Sequence, residues 1–157
     1  MKKFEFKLEK LLDMRLAKER EVQNELAALL ALQNREKVKQ EELKRSILDH
    51  QKKFQKKLRL GDYSVNENLI YEKYVDISLR AIDVSEEKIQ GMEPGIKKVR
   101  KRLVEASKER RVVEKLKERK LEEYNFKLNR EIAKENDDMN INLFNRTIHR
   151  VEEKLIG

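Results

Sequence analysis

The chain has no cysteine, one proline and four glycines in 157 residues. Without cysteine there is neither a disulfide nor a thiolate zinc site, which fits a reducing cytoplasm. So few glycines and prolines leave too few turn positions for a sheet or a many-turned globular domain. Apolar residues make up 38% of the chain and charged residues 43%, too polar a balance to fill a compact core. The longest apolar run, Leu26 to Leu32, falls far short of the roughly 18 residues a membrane-spanning helix needs. Met1-Lys2-Lys3-Phe4-Glu5-Phe6-Lys7 opens like a signal peptide, but charge interrupts it before an apolar region of about 7–15 residues can form. A soluble, untargeted protein is expected. The two histidines, His50 and His149, are too far apart in sequence to pair for acid–base work or metal binding along extended helices. No glycine-rich phosphate loop exists, and nearly every carboxylate sits within a helical turn of Lys or Arg, as in surface ion pairs. No catalytic residue, cofactor site or metal site is expected, which argues against an enzyme.

What the chain does have is apolar residues at alternating steps of three and four, the mark of a narrow coiled-coil seam that leaves most of each helix in water. The pattern is organised about Gly61-Asp62-Tyr63-Ser64. Gly61 can take the left-handed conformation that closes a helix, and Lys56, Lys57 and Arg59 before it complement the negative end of the helix dipole. Ser64-Val65-Asn66-Glu67 fits a capping box, with the Ser64 hydroxyl accepting from the Glu67 amide and the Glu67 side chain reaching back to Ser64. The spacing therefore predicts an all-α, long antiparallel two-helix coiled-coil hairpin in a single domain over 1–157. Its first helix spans about 4–60, its bend 61–64 and its second helix about 65–150.

The first seam is read through Phe4, Leu8, Leu11, Arg15, Lys18 and Val22, then Leu26, Leu29, Gln33, Glu36, Gln40, Leu43, Ile47, His50, Phe54 and Leu58. Two successive steps of four at Val22 and Leu26 read as a stutter. Polar seam positions at 15–18 and 33–40 either fix register or open the seam to another protein. The second seam is read through Ile70, Tyr74, Ile77, Ala81, Ser85, Ile89 and Met92, placing Ile70 near Phe54, Ile77 near Ile47 and Ala81 near Leu43. Gly91-Met92-Glu93-Pro94-Gly95 interrupts it, because proline lacks the amide hydrogen and crowds the carbonyl of Gln90. The seam passes through this stretch in phase, to Ile96, Val99 and Leu103, which favours a kink near 91–95 over a loop. Apolar positions thin out after Leu128, so the C-terminal part is expected to run past the N-terminus unpartnered.

Net charge is +8 and unevenly spread: 17 basic and 10 acidic residues in 1–60, 3 and 7 in 61–92, and 18 and 13 in 93–157. Basic arms around an acidic bend segment suit different partners at the two ends, or simply the solvated face of a coiled coil. Lys52, Lys53, Lys56, Lys57 and Arg59 form one basic cluster, and Lys97, Lys98, Arg100, Lys101 and Arg102 another. Either could touch nucleic acid phosphates. The second cluster, however, spreads its charges around the helix, and neither has a base-reading module or aromatic stacking platform, so no nucleic acid is expected as partner. A small nucleic-acid-binding hairpin and a generic structural scaffold stand as the alternatives.

Residues 103 to 119, Leu-Val-Glu-Ala-Ser-Lys-Glu-Arg-Arg-Val-Val-Glu-Lys-Leu-Lys-Glu-Arg, resemble a characteristic stretch of the flagellar export protein FliJ family. Phe4, Phe6, Leu8, Leu11, Leu12 and Arg15, followed by Glu19 and Glu21, resemble that family's beginning. Glu131, Lys134, Asp137 and Asp138, with Phe144 and Arg146, resemble its ending, in the same order over nearly the whole chain. The resemblance implies an antiparallel coiled coil similar to the central-stalk gamma subunit of rotary ATPases. It implies a non-enzymatic, cytoplasmic component of the flagellar type III export apparatus, held at the inner membrane through its partners. Those partners would be the hexameric export ATPase, whose ring it enters and stimulates, the export gate membrane protein, and substrate-specific export chaperones, which it escorts. Carried over by position, the gate-binding patch falls on Leu43, Ile47, His50, Phe54, Tyr74, Ser78, Ala81 and Ser85, with polar residues at 50, 78 and 85. Leu43, Ile47, Phe54 and Tyr74 are core candidates by spacing alone. At the opposite end, Leu8, Leu11, Leu12 and Arg15 are the ATPase-binding candidates, together with the overhanging C-terminal helix.

Overall fold

The computed structural model describes residues 2–62 and 64–157; Met1 and Tyr63, the latter within the expected bend, lie outside the described residues. Helix α1 covers Glu9–Arg59 and helix α2 covers Val65–Ile156. They pack against each other as a helical hairpin, with no strand among the described residues, which is the all-α fold the periodicity implies.

The bend is built from local signals. Gly61 has φ 71°, a conformation a side chain would strain. It lets the Asp62 amide donate to Lys57 O at 3.1 Å and the Gly61 amide to Leu58 O at 3.3 Å, so the last carbonyls of α1 are satisfied in a Schellman arrangement. At the start of α2 the Glu67 amide donates to Ser64 Oγ at 3.2 Å, an N-cap worth about 1 kcal/mol. The Glu67 carboxylate, expected to fold back onto Ser64, pairs with Lys57 Nζ across the bend at 3.5 Å.

Helix α1 begins at Glu9, not near Phe4. Phe4 and Phe6 are half-buried while Glu5 and Lys7 between and after them are exposed, the alternation of an extended chain. Residues two apart lie on different sides of a helix, so only an extended segment turns both rings the same way. At the other end α2 continues to Ile156 rather than stopping near 150. Between Gly95 and Gly157 there is no glycine or proline to end it, and Asn136-Asp137-Asp138 costs only tenths of a kcal/mol per residue. Pro94 and its flanking glycines lie inside continuous helix.

Two compact units can be distinguished. One comprises Ala17–Ser107. Its fully buried side chains include Val22 and Ile96, with Ile89, Val99 and Ala106 also in the core. On α1 the seam runs Glu19, Val22, Leu26, Leu29, Gln33, Glu36, Gln40, Leu43 and Ile47 in unbroken steps of three and four. The expected Lys18 is instead exposed and pairs with Glu21 at 3.5 Å. With Glu19 in its place the stutter at Val22 and Leu26 disappears. On α2 the inward positions are Tyr71, Val75, Ser78, Ile82, Ser85, Ile89, Met92, Ile96, Val99, Leu103 and Ala106, again alternating four and three. Ile70 and Ile77, expected in this seam, are 68% and 66% exposed. The heptad counted back from Ile89 reaches Ser78 and Tyr71, one residue further on in each case, and Tyr74 and Ala81 flank it.

The second unit comprises Met1–Leu16 and Lys108–Gly157, with Leu12 and Val113 buried. Within it the Phe4 ring packs on Tyr124 at 5.5 Å between centroids, and the Tyr124 hydroxyl donates to Lys2 O at 2.9 Å. Every residue from 129 to 157 is exposed.

Candidate partner-binding surfaces

Near the bend, in the unit Ala17–Ser107, aromatic side chains from both helices collect in one place. The rings of Phe54 and Tyr71 stack at 4.8 Å with an interplanar angle of 4°, and the His50 and Tyr74 rings meet at 4.4 Å. Tyr74 Oη is also hydrogen-bonded to Ser46 Oγ, which fixes its ring. Together with Lys53, Lys57, Glu67 and Ile70 these rings line a groove of about 310 Å³.

Of the eight positions expected to face a gate, His50, Phe54 and Tyr74 share this groove. Leu43, Ile47 and Ala81 are half-buried along the seam. Ser78 and Ser85 are only 4% and 3% exposed, and Ser85 Oγ donates to Glu36 at 3.1 Å, so both face the helix partner rather than a surface. Tyr71 has no place in the sequence reading, and Lys53 and Lys57 enter it only as members of a basic cluster. Following the seam back from Ile89 in strict heptad steps, instead of stopping at the nearest isoleucine, would have found Tyr71.

Further along the same unit the helices are joined by side-chain bonds rather than by apolar contact alone. Gln33 Nε2 donates to Glu93 at 2.6 Å and reaches Ile89 O at 3.5 Å. Gln40 Nε2 donates to Glu86 at 2.8 Å. That bond, helped by Gln90 and by Lys44 and Lys37, holds the Glu86 carboxyl below its ordinary 4.5 against some desolvation. Arg102 donates to both oxygens of Glu25 at 2.9 Å. The buried amides of Gln33 and Gln40 are tolerated in the seam because each is bonded to a carboxylate at its exposed edge, and these bonds penalise any shift of register that would leave the amides unpaired.

In the unit Met1–Leu16 with Lys108–Gly157, the ATPase-binding candidates divide. Leu8 is exposed and Leu11 half-buried, whereas Leu12 is buried in the seam. Arg15 forms an ion pair with Glu109, and its Nε is buried with no hydrogen-bond partner among the described residues. Lys117 and Glu9 pair at 2.8 Å. Phe4, Phe6, Leu8, Leu116 and Tyr124, with Lys120 and Lys127 at the edge, line a second cavity of about 610 Å³. Beyond it, Ile141, Phe144, Ile148, Val151 and Leu155 recur at steps of three and four on one exposed face of α2. An amphipathic helix with nothing on its apolar stripe is suited to a groove on another protein.

Among the described residues no group of three His, Asp or Glu side chains could hold a metal ion. No helix among the described residues is long and apolar enough to cross a membrane.

The family model described as flagellar FliJ protein matches residues 4–148. No curated protein and no solved structure matches the chain. The family match spans almost all of α1 and α2, including the bend, the aromatic groove and most of the exposed C-terminal helix: the chain belongs to the flagellar FliJ protein family, whose members are components of the flagellar export apparatus.

Proposed function

We propose that the protein is a non-catalytic stalk that acts on the export ATPase with one end and on the export gate with the other. The observation that carries this reading is the family match over residues 4–148. The exposed helix beyond Leu128, with Leu8 and Leu11 beside the N-terminal segment, enters the ring of the hexameric ATPase. There it biases contacts between subunits and so stimulates hydrolysis without chemistry of its own. The bend end, through His50, Phe54, Tyr74 and the half-buried Leu43, Ile47 and Ala81, contacts the gate membrane protein. Export chaperones released from their substrates are escorted by the same chain. It works in the cytoplasm, peripheral to the inner membrane at the flagellar base.

The side chains support a division of labour. At the bend an aromatic groove lies open beside lysines, whereas the C-terminal helix carries a mainly aliphatic stripe on a mixed-charge surface. A tagged chain incubated with extract of flagellated cells should capture the ATPase and the gate protein together. Recovery of neither, or recovery of nucleic acid in a form that survives physiological salt, would contradict the reading.

A further inference from the structure

We infer that the groove at the bend receives an acidic peptide segment anchored by one large apolar or aromatic side chain. This deepens the bend-end contact proposed above and rests on it. The anchor site is apolar: the Phe54 and Tyr71 stack forms one wall, Tyr74 another, and Ile70 stands 68% exposed at the edge. Exposing an isoleucine beside two aromatic rings costs water-contacting apolar surface, and an inserted side chain recovers it. A volume of about 310 Å³ suits one such side chain rather than a packed helix.

The rim sets the charge of what flanks that anchor. From residue 50 to residue 61 the chain has Lys52, Lys53, Lys56, Lys57 and Arg59 and no acidic residue. Lys57 shares its charge with Glu67, and Lys53, which lines the groove, has no ion-pair partner among the described residues. On the α2 side the acidic groups are Glu67, tied to Lys57, Glu72, within hydrogen-bond reach of Asn68 at 3.5 Å, and Asp76, paired with Arg80 at 3.0 Å, while on α1 Asp49 one turn before Lys53 stands against the five cations that follow it. The uncompensated charge therefore lies along α1, and a peptide carrying Asp or Glu on either side of its anchor meets it with complementary sign. A basic segment would be repelled there.

The chain contains no tryptophan, so the emission of a tryptophan peptide reports the peptide alone. Two synthetic probes, one tryptophan flanked by acidic residues and one flanked by lysines, are titrated with the full chain. The acidic probe should bind saturably with a blue-shifted emission and the basic probe should not. Lys53→Glu and Ile70→Ser, both at exposed positions, should each weaken the acidic probe at least tenfold, while Lys115→Glu should leave it unchanged. Equal binding of both probes, or indifference to Lys53→Glu and Ile70→Ser, would overturn the inference. In parallel, the soluble part of the gate protein is tested against the same variants. If it binds the wild-type chain while the acidic probe does not, the ligand class is wrong and the gate reading stands. If the probe binds in a Lys53-dependent way while the gate protein does not bind at all, the gate reading fails and the ligand class stands.

Discussion

The Ser107 hydroxyl donates to the Glu19 carboxylate at 2.8 Å, joining the two helices at a position that the heptad reserves for the seam. A carboxylate only 9% exposed is tolerable there because its Oε1 accepts from Ser107. Removing the donor takes this bond from a buried carboxylate, so Ser107→Ala should destabilise the hairpin by about 1–3 kcal/mol. Changing both residues, as Glu19→Leu with Ser107→Ala, replaces the pair by apolar groups and should restore or exceed wild-type stability. Urea unfolding followed by circular dichroism measures both; a double variant weaker than Ser107→Ala alone would contradict the bonded-pair account.

Pro94 and the helical Gly91 and Gly95 weaken α2 without being required by packing. A Cβ added at either glycine would meet nothing within 4 Å, and neither has a positive φ. Each glycine costs the helix roughly 1 kcal/mol relative to alanine, and the proline about 3. Gly91→Ala with Gly95→Ala should raise stability by about 1–2 kcal/mol, and Pro94→Ala should add to it. Amide exchange should slow over residues 88–98 in the same variants. Unchanged or lower stability in the double alanine variant would contradict this account.

Glu86 gives a pH signature. Its folded-state carboxyl titrates below 4.5, first because Gln40 donates to it and then through Gln90 and nearby lysines, against desolvation. A lowered carboxyl contributes stability that is complete above the unfolded value and is lost as pH falls through the folded one. The contribution should therefore be intact at neutral pH and fade only on the acid side of about pH 4.5. In an NMR titration the Glu86 midpoint should move up in Gln40→Leu; a midpoint unmoved by that change would remove Gln40 as the cause.

The legible parts of this fold were those set by local chemistry. Gly61 and Ser64 announce the bend because a left-handed residue and an N-cap act within one turn of themselves. The phase of the seam was harder to read wherever polar residues occupy it. Lys18 and Glu19 look alike until one of them finds Ser107 across the interface. Ile77 outranks Ser78 by apolarity although the heptad count selects the serine. The groove inherits the same one-residue slip: Phe54 and Tyr74 were named, while Tyr71, which stacks on Phe54, was passed over for Ile70. Phe4 and Phe6 carried their own signal, since a spacing of two suits an extended segment and not the helix expected there.

The most direct measurement compares ATP hydrolysis by the export ATPase and binding of the gate protein in two variants of the chain. Truncation after Leu128 removes the exposed helix, with Ile141, Phe144, Ile148 and Val151, and leaves the bend untouched. Phe54→Ala with Tyr74→Ala removes groove walls and leaves that helix intact; circular dichroism must first show that helix content survives, because losing two half-buried aromatics can cost several kcal/mol, on the order of 3–5 for each if buried. The two-ended account predicts that truncation abolishes stimulation of hydrolysis and spares gate binding, and that the aromatic pair does the reverse. Equal loss of both activities in either variant, with the proteins folded, would contradict it.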